Sequence, residues 1–61
     1  SIEAIKQGPS ILTEEQSEVI SMKFLSELSN KEIAEALGKT EEAIRQLQSR
    51  GLRALRKNLN I

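Results

Sequence analysis

The sequence contains no cysteine and no histidine, and it has only one aromatic residue and one proline. These absences remove disulfide bonds, the ligands of zinc fingers, the thiol nucleophile and the most common general base. A chain of 61 residues also buries too little surface to enclose a deep catalytic cavity. The composition argues against an enzyme, and we expect no catalytic residue, metal ion, cofactor or small-molecule substrate.

Long apolar runs are also missing, although 38% of the residues are hydrophobic. No run approaches the eighteen or so residues of a membrane span, and no apolar leader precedes a small-residue cleavage site. Helix-forming residues dominate, whereas the aromatic residues favoured in strands are almost absent. We expect a cytoplasmic, all-α domain of three or four short helices with no membrane partner.

Charge is distributed unevenly along the chain, although the formal net charge is zero. Residues 1–42 carry all nine carboxylates and four lysines, a net charge of −5, whereas residues 43–61 carry five cations and no acid. Four of these cations are arginines, whose planar guanidinium groups suit phosphates and guanine edges. The asymmetry indicates an anionic partner for the C-terminal part of the chain.

Three helix starts are marked by residues that favour N-cap positions. Thr13 precedes Gln16, and Ser29 precedes Glu32, at the spacing of a capping box. In a capping box, each of the two side chains accepts a hydrogen bond from a backbone amide at the helix N-terminus. Thr40 is predicted to cap a third helix that runs to about residue 57.

Glycines mark one helix end and one close contact. Gly38 is predicted to end the second helix, because the residue after a helix often takes the left-handed conformation. Gly51 lies inside the third helix, at a cost of about 1 kcal/mol relative to alanine, which predicts close contact with a neighbouring helix. Residues 1–11 are interpreted as a linker or a short N-terminal helix, and residues 12–61 as one domain.

Apolar residues recur at helical spacing and predict the buried faces. In the first helix, the predicted stripe comprises Val19, Ile20, Phe24 and Leu28, with Met22 and Leu25 beside it. In the third helix, with about 100° per residue, the residues on the same side as Ile44 are Leu47, Gly51, Leu52, Leu55 and Leu59. The opposite side holds Glu42, Arg45, Gln46, Ser49, Arg50, Arg53, Arg56 and Lys57.

The order of these elements predicts a helix-turn-helix that binds nucleic acid, since a short helix is followed by a three-residue turn and a longer basic helix. The competing interpretation is that the basic side is only the solvated face of an amphipathic helix, which would show the same pattern.

These segments resemble region 4 of the bacterial sigma-70 type transcription initiation factors. Residues 12–24 look like the first helix of that region, residues 28–38 like the first helix of its helix-turn-helix, and residues 40–56 like its recognition helix. The I-R-Q-L-Q-x-R-x-L-R-x-L-R run is the most specific part, because many helix-turn-helix proteins share the E-I-A-x-x-L-G core. The resemblance implies a wingless helix-turn-helix domain of a longer factor, which binds the minus-35 element of double-stranded promoter DNA.

The resemblance also implies roles for individual residues. The candidates for base readout are Glu41, Glu42, Arg45 and Gln46. The candidates for phosphate contacts are Ser29, Asn30, Lys31, Ser49, Arg50 and Arg53. Helix capping is the competing interpretation for Glu41 and Glu42. Since Glu41 stands where the primary factors of the family are expected to carry arginine, an alternative factor, such as one of the extracytoplasmic-function (ECF) type, is favoured.

A second surface follows from the same resemblance. In the family, an apolar surface of region 4 binds the flap of the RNA polymerase β subunit, and anti-sigma factors compete for it. The candidates here are Met22 and Leu25, which lie beside the predicted core stripe, and Leu28, which lies at its end. The competing interpretation places all three side chains in the hydrophobic core.

Two other classes of binding protein remain as alternatives. The DNA-binding domain of LuxR-type response regulators has helices that read like the L-S-N-K-E-I-A run at residues 28–34, but it usually ends in a dimerising helix after the recognition helix. A helical protein-interaction module would bind an anti-sigma partner without DNA, and such a module would tolerate neutral or acidic residues on the basic face.

Overall fold

The computed structural model describes residues 11–59 and contains three helices. These helices are α1 (Glu14–Phe24), α2 (Asn30–Leu37) and α3 (Glu41–Leu59). The all-α helix-turn-helix predicted from the sequence is confirmed, and no strand occurs within residues 11–59. The possible N-terminal helix lies outside the described residues. No helix in the described part of the chain has the length and apolarity needed to cross a bilayer.

Capping boxes begin both of the shorter helices, as the sequence predicts. The backbone amide of Gln16 donates to Thr13 Oγ1 at 3.1 Å, and the amide of Thr13 donates to Gln16 Oε1 at 3.2 Å. In α2 the amide of Glu32 donates to Ser29 Oγ at 3.1 Å, and the amide of Ser29 donates to Glu32 Oε1 at 2.8 Å. This hydrogen bond from the Ser29 backbone lowers the pKa of the Glu32 carboxyl below its ordinary value of 4.5.

The turn of the helix-turn-helix is the segment from Gly38 to Thr40. Gly38 has φ 66° and ψ 34°, the left-handed conformation that glycine adopts without strain. Thr40 Oγ1 accepts a hydrogen bond from the Ala43 amide at 3.0 Å and caps α3, as predicted. Between these two residues, Lys39 Nζ lies 2.7 Å from a carboxylate oxygen of Glu15, which connects the turn to the first turn of α1.

The connection between α1 and α2 contains a left-handed residue that is not glycine. Glu27 has φ 59°, a conformation that costs an L-amino acid roughly 1–2 kcal/mol. The amides on either side of it close the turn, because Ser26 donates to Ser21 O at 3.1 Å and Leu28 donates to Met22 O at 3.0 Å. These bonds reverse the chain so that α2 can pack beside α1.

The hydrophobic core is small and involves all three helices. Val19, Ile33, Ala34 and Ile44 are buried, and around them pack the half-buried side chains of Met22, Leu28, Leu37 and Leu47. Gly51 of α3 is buried against α1, and a Cβ atom added there would collide with Cδ1 of Ile20. The close helix contact predicted from Gly51 is therefore confirmed.

Two residues predicted to face the core are instead exposed. Phe24 is the last residue of α1 and is 55% exposed. The side of α1 that packs on the core is instead formed by Val19 and Met22, which are three residues apart. Leu52 is 41% exposed because it lies at the edge of the apolar sector of α3, about 80° from Ile44 at 100° per residue.

Candidate nucleic-acid interface

The first two turns of α3 present the four residues predicted to read bases. Glu41, Glu42, Arg45 and Gln46 are all exposed and directly follow the Thr40 cap. Six consecutive helical residues span about 8 Å of helix axis, so this group fits within a major groove about 12 Å wide. The exposed start of α3 therefore carries both hydrogen-bond donors and acceptors.

Two of these residues form an ion pair with each other. Arg45 donates from its guanidinium to Glu42 Oε1 at 2.7 Å, three residues apart on the helix. This hydrogen bond, with the positive charge that accompanies it, lowers the pKa of the Glu42 carboxyl. Both side chains are more than half exposed, so the pair contributes little to stability. A guanidinium has five N–H donors, and the pair presents a donor group beside an acceptor group.

The N-terminus of α2 carries the first set of predicted phosphate contacts. Ser29 and Lys31 are exposed, whereas Asn30 is half-buried. The Ser29 oxygen already accepts a hydrogen bond from the Glu32 amide, which leaves its hydroxyl proton as a donor. A helix N-terminus favours anions because its first amides have no carbonyl partner within the helix and its dipole is positive there.

Asn30 also contacts the recognition helix. Gln48 Nε2 donates to Asn30 Oδ1 at 2.7 Å, across a separation of eighteen residues. Sequence reasoning missed Gln48, because it lies at neither a cap position nor a basic position, and no local pattern pairs residues so far apart. The structure thus connects a predicted phosphate contact with the middle of α3.

The second set of predicted phosphate contacts continues along α3. Ser49, Arg50 and Arg53 are exposed, and Arg56 and Lys57 extend the same basic face towards the end of the helix. No aspartate or glutamate follows Glu42 in the sequence. The outward face of α3 therefore changes from mixed charge in its first turns to positive charge beyond them.

The apolar residues predicted to contact polymerase do not share one environment. Met22 and Leu28 are half-buried and pack against the core, whereas Leu25 is 80% exposed. Phe24, which the sequence prediction assigned to the core, lies beside Leu25 and is also exposed. The end of α1 therefore presents two adjacent apolar side chains.

No cluster of acidic side chains suited to a metal ion is found within residues 11–59. The candidate interface consists of amides, hydroxyls, carboxylates and guanidinium groups, which bind by hydrogen bonding and charge.

Comparison with known proteins identifies the family. The sequence model described as "Sigma-70, region 4" matches residues 10–57, which include α1, α2, all but the last two residues of α3, and every candidate interface residue. No curated protein and no solved structure matches the chain significantly. Members of the matched family are non-enzymatic helix-turn-helix domains that bind promoter DNA at the minus-35 element and interact with RNA polymerase. The chain belongs to the sigma-70 region 4 family.

Proposed function

We propose that α3 enters the major groove of a minus-35 element while the N-terminus of α2 contacts the phosphate backbone of the same site. The observation that carries this proposal is the arrangement of α3, which exposes four polar residues in its first two turns and only positive charges beyond Glu42. This arrangement matches the docking of a recognition helix, whose first residues contact base edges.

The base-reading residues are proposed to be Glu41, Glu42, Arg45 and Gln46. Arg45 donates two parallel hydrogen bonds to a guanine, Glu42 accepts one from a cytosine amino group, and Gln46 pairs with an adenine. The ion pair between Glu42 and Arg45 in the free domain places a hydrogen-bond acceptor beside a donor on this part of α3. Glu41 stands where the primary factors of the family are expected to carry arginine, which supports the assignment to an alternative, ECF-type factor.

The phosphate contacts are proposed to come from both helices. Ser29, Asn30 and Lys31 contact the backbone from α2, and Ser49, Arg50 and Arg53 contact it from α3. These interactions carry no sequence information directly, but they fix the position of the domain on the duplex. They also release counterions, so affinity falls as the salt concentration rises.

The polymerase contact is proposed to involve the end of α1. Leu25 is the most exposed of the three predicted residues, and Met22 and Leu28 support it from the edge of the core. An amphipathic helix, such as the tip of the polymerase β flap, would bury its apolar face on this surface. An anti-sigma factor would compete by covering the same residues. Because bacterial promoter DNA and RNA polymerase are both in the cytoplasm, binding to them implies that the domain acts there.

The proposed DNA contacts are tested by comparing two arginine variants of the same helix. The preferred duplex is first selected from a random-sequence library at low salt, because one small module makes few contacts and binds weakly. Arg45→Ala is expected to cost about 1–3 kcal/mol on that duplex and to relax the preference at one base pair. Arg53→Ala is expected to weaken binding to all duplexes alike and to reduce the dependence on salt.

The two variants serve as matched controls for each other, since both remove one arginine from the exposed face of α3. Equal losses on the selected and scrambled duplexes for both variants would refute the assignment of Arg45 to base readout. The polymerase contact is tested separately, by titrating the labelled chain with the isolated flap domain of a bacterial β subunit. Amide shifts confined to residues 14–37 support the proposed docking, and no shifts at saturating flap would reject it.

A further inference from the structure

A side-chain hydrogen bond joins the two helices of the helix-turn-helix far from their turn. Gln48 Nε2 donates to Oδ1 of Asn30, the first residue of α2, at 2.7 Å. Both residues are half-buried, so water competes less for this bond than it would at an exposed site. The same helices also meet at the turn from Gly38 to Thr40 and through the buried side chains of Ile33 and Ile44.

The bond lies between the two parts of the proposed DNA interface. Asn30 stands between Ser29 and Lys31, and these three residues are the proposed phosphate contacts of α2. Gln48 follows Arg45 by three residues, which places it one turn further along α3 and on the neighbouring strip of the helix surface. At 100° per residue, Gln48 lies about 40° from Ile44, between the core-facing side and the base-reading side.

A rigid pair of helices needs more than one point of attachment. The turn joins the end of α2 to the start of α3, and the apolar contact lies near the middle of α2. The N-terminus of α2 is the end most distant from the turn, so a small change in the angle between the helices moves it furthest. The angle between α2 and α3 therefore determines where the N-terminus of α2 meets a phosphate. It also sets the distance between that phosphate contact and a base contact made by α3.

We propose that Gln48 is a positioning residue, which holds the N-terminus of α2 at the distance from α3 that lets phosphate and base contacts form together. This inference rests on the proposed DNA binding and deepens it. Gln48 acts through Asn30 and Lys31, so its removal should weaken the phosphate contacts of α2 even though Gln48 itself does not touch the DNA.

The test uses the whole chain and the duplex selected by the wild-type protein. Gln48→Met keeps a side chain of similar length and removes the amide. Asn58→Ala is the control, because it also removes an amide from α3, but one whose Nδ2 donates to Ala54 O within the helix. Since a net hydrogen bond between neutral groups is worth about tenfold or less in an equilibrium constant, we expect Gln48→Met to weaken DNA binding about fivefold. Asn58→Ala should leave binding unchanged.

The decisive readout is the coupling between Gln48 and Lys31. If Gln48 positions α2, Lys31→Ala should reduce affinity less in the Gln48→Met background than in the wild type, because the phosphate contact is already displaced. Losses that simply add would overturn the proposal, as would a Gln48→Met variant that binds DNA as tightly as the wild type. A purely stabilising residue would lower the melting temperature without producing this coupling.

A second measurement does not depend on DNA. Residual dipolar couplings of the free chain report the angle between α2 and α3, and this angle should change or become less ordered in Gln48→Met but not in Asn58→Ala. An unchanged and equally ordered angle would reject the positioning role, even if the variant bound DNA poorly. Failure of the proposed function itself looks different, because the wild-type chain would then select no duplex or would be insensitive to Lys31→Ala and Arg45→Ala.

Discussion

The buried Gly51 offers a sharp test of how α1 and α3 pack. A Cβ atom added at this position would overlap Cδ1 of Ile20, while it would lie at an ordinary 3.4 Å from Cγ1 of Ile20 and from Cβ of Gln16. The conflict is therefore confined to the terminal methyl group of one side chain. The perturbation we consider is Gly51→Ala, alone and combined with Ile20→Val, which removes that methyl group.

Two opposing terms set the magnitude. Replacing glycine by alanine inside a helix favours folding by about 1 kcal/mol. Displacing the Ile20 methyl group from its preferred rotamer costs about 0.5–1.5 kcal/mol. In the wild-type background these terms nearly cancel, so Gly51→Ala should change the free energy of unfolding by less than about 0.5 kcal/mol. In the Ile20→Val background the clash is absent, and the same substitution should stabilise the fold by about 1 kcal/mol.

The assay is thermal unfolding of the four chains of this double-mutant cycle, followed by circular dichroism. For a domain of this size, 1 kcal/mol corresponds to roughly 4–8 °C in melting temperature. We therefore expect Gly51→Ala to raise the melting temperature by that amount only when residue 20 is valine. An identical effect of Gly51→Ala in both backgrounds would refute the packing argument, because it would show that the Ile20 methyl group does not limit the approach of the helices.

Three further predictions concern the helix ends and turns. Glu27→Gly should raise the free energy of unfolding by about 0.5–1 kcal/mol in urea titrations, because it relieves the left-handed strain while loosening the unfolded chain; a loss of stability would contradict this. Thr40→Ala should lower the free energy of unfolding by about 1 kcal/mol through loss of the α3 cap, whereas Thr40→Ser should have little effect. Equal losses of stability in the two variants would argue against the cap. The pKa of Glu32 is lowered in the fold, so its carboxylate stabilises the protein above the ordinary pKa of 4.5 and loses this effect as pH falls through the lowered value. The melting temperatures of wild type and Glu32→Gln should therefore differ at neutral pH and converge below pH 4.5. A difference in melting temperature that stays constant with pH would show that the Glu32 carboxylate does not cause it.

Local patterns predicted the helix starts because the interactions that form them are local. Thr13 with Gln16 and Ser29 with Glu32 are three residues apart, and the same spacing produces the capping box wherever a helix begins. Gly51 was informative for a related reason. Glycine has a low helix propensity, and it occurs inside this helix because the close packing of Ile20 leaves no space for a side chain at residue 51.

Long-range geometry explains what the sequence did not predict. The exposure of Phe24 depends on where α1 ends, which the apolar spacing does not encode. The hydrogen bond between Asn30 and Gln48 depends on the angle between two helices. The candidate base-reading residues follow from the family resemblance, which matches motif positions in α3. Gln48 has no such signal, and its contact with Asn30 depends on how the two helices pack.

The proposed function requires that the chain bind duplex DNA with the N-terminus of α2 and the first turns of α3. The most direct measurement is an amide chemical-shift titration of the labelled chain with the selected duplex at low salt. We predict shifts concentrated at residues 29–31 and 41–53, with the end of α1 unaffected. Shifts concentrated on residues 14–28, or no shifts at saturating duplex, would contradict the proposed DNA interface.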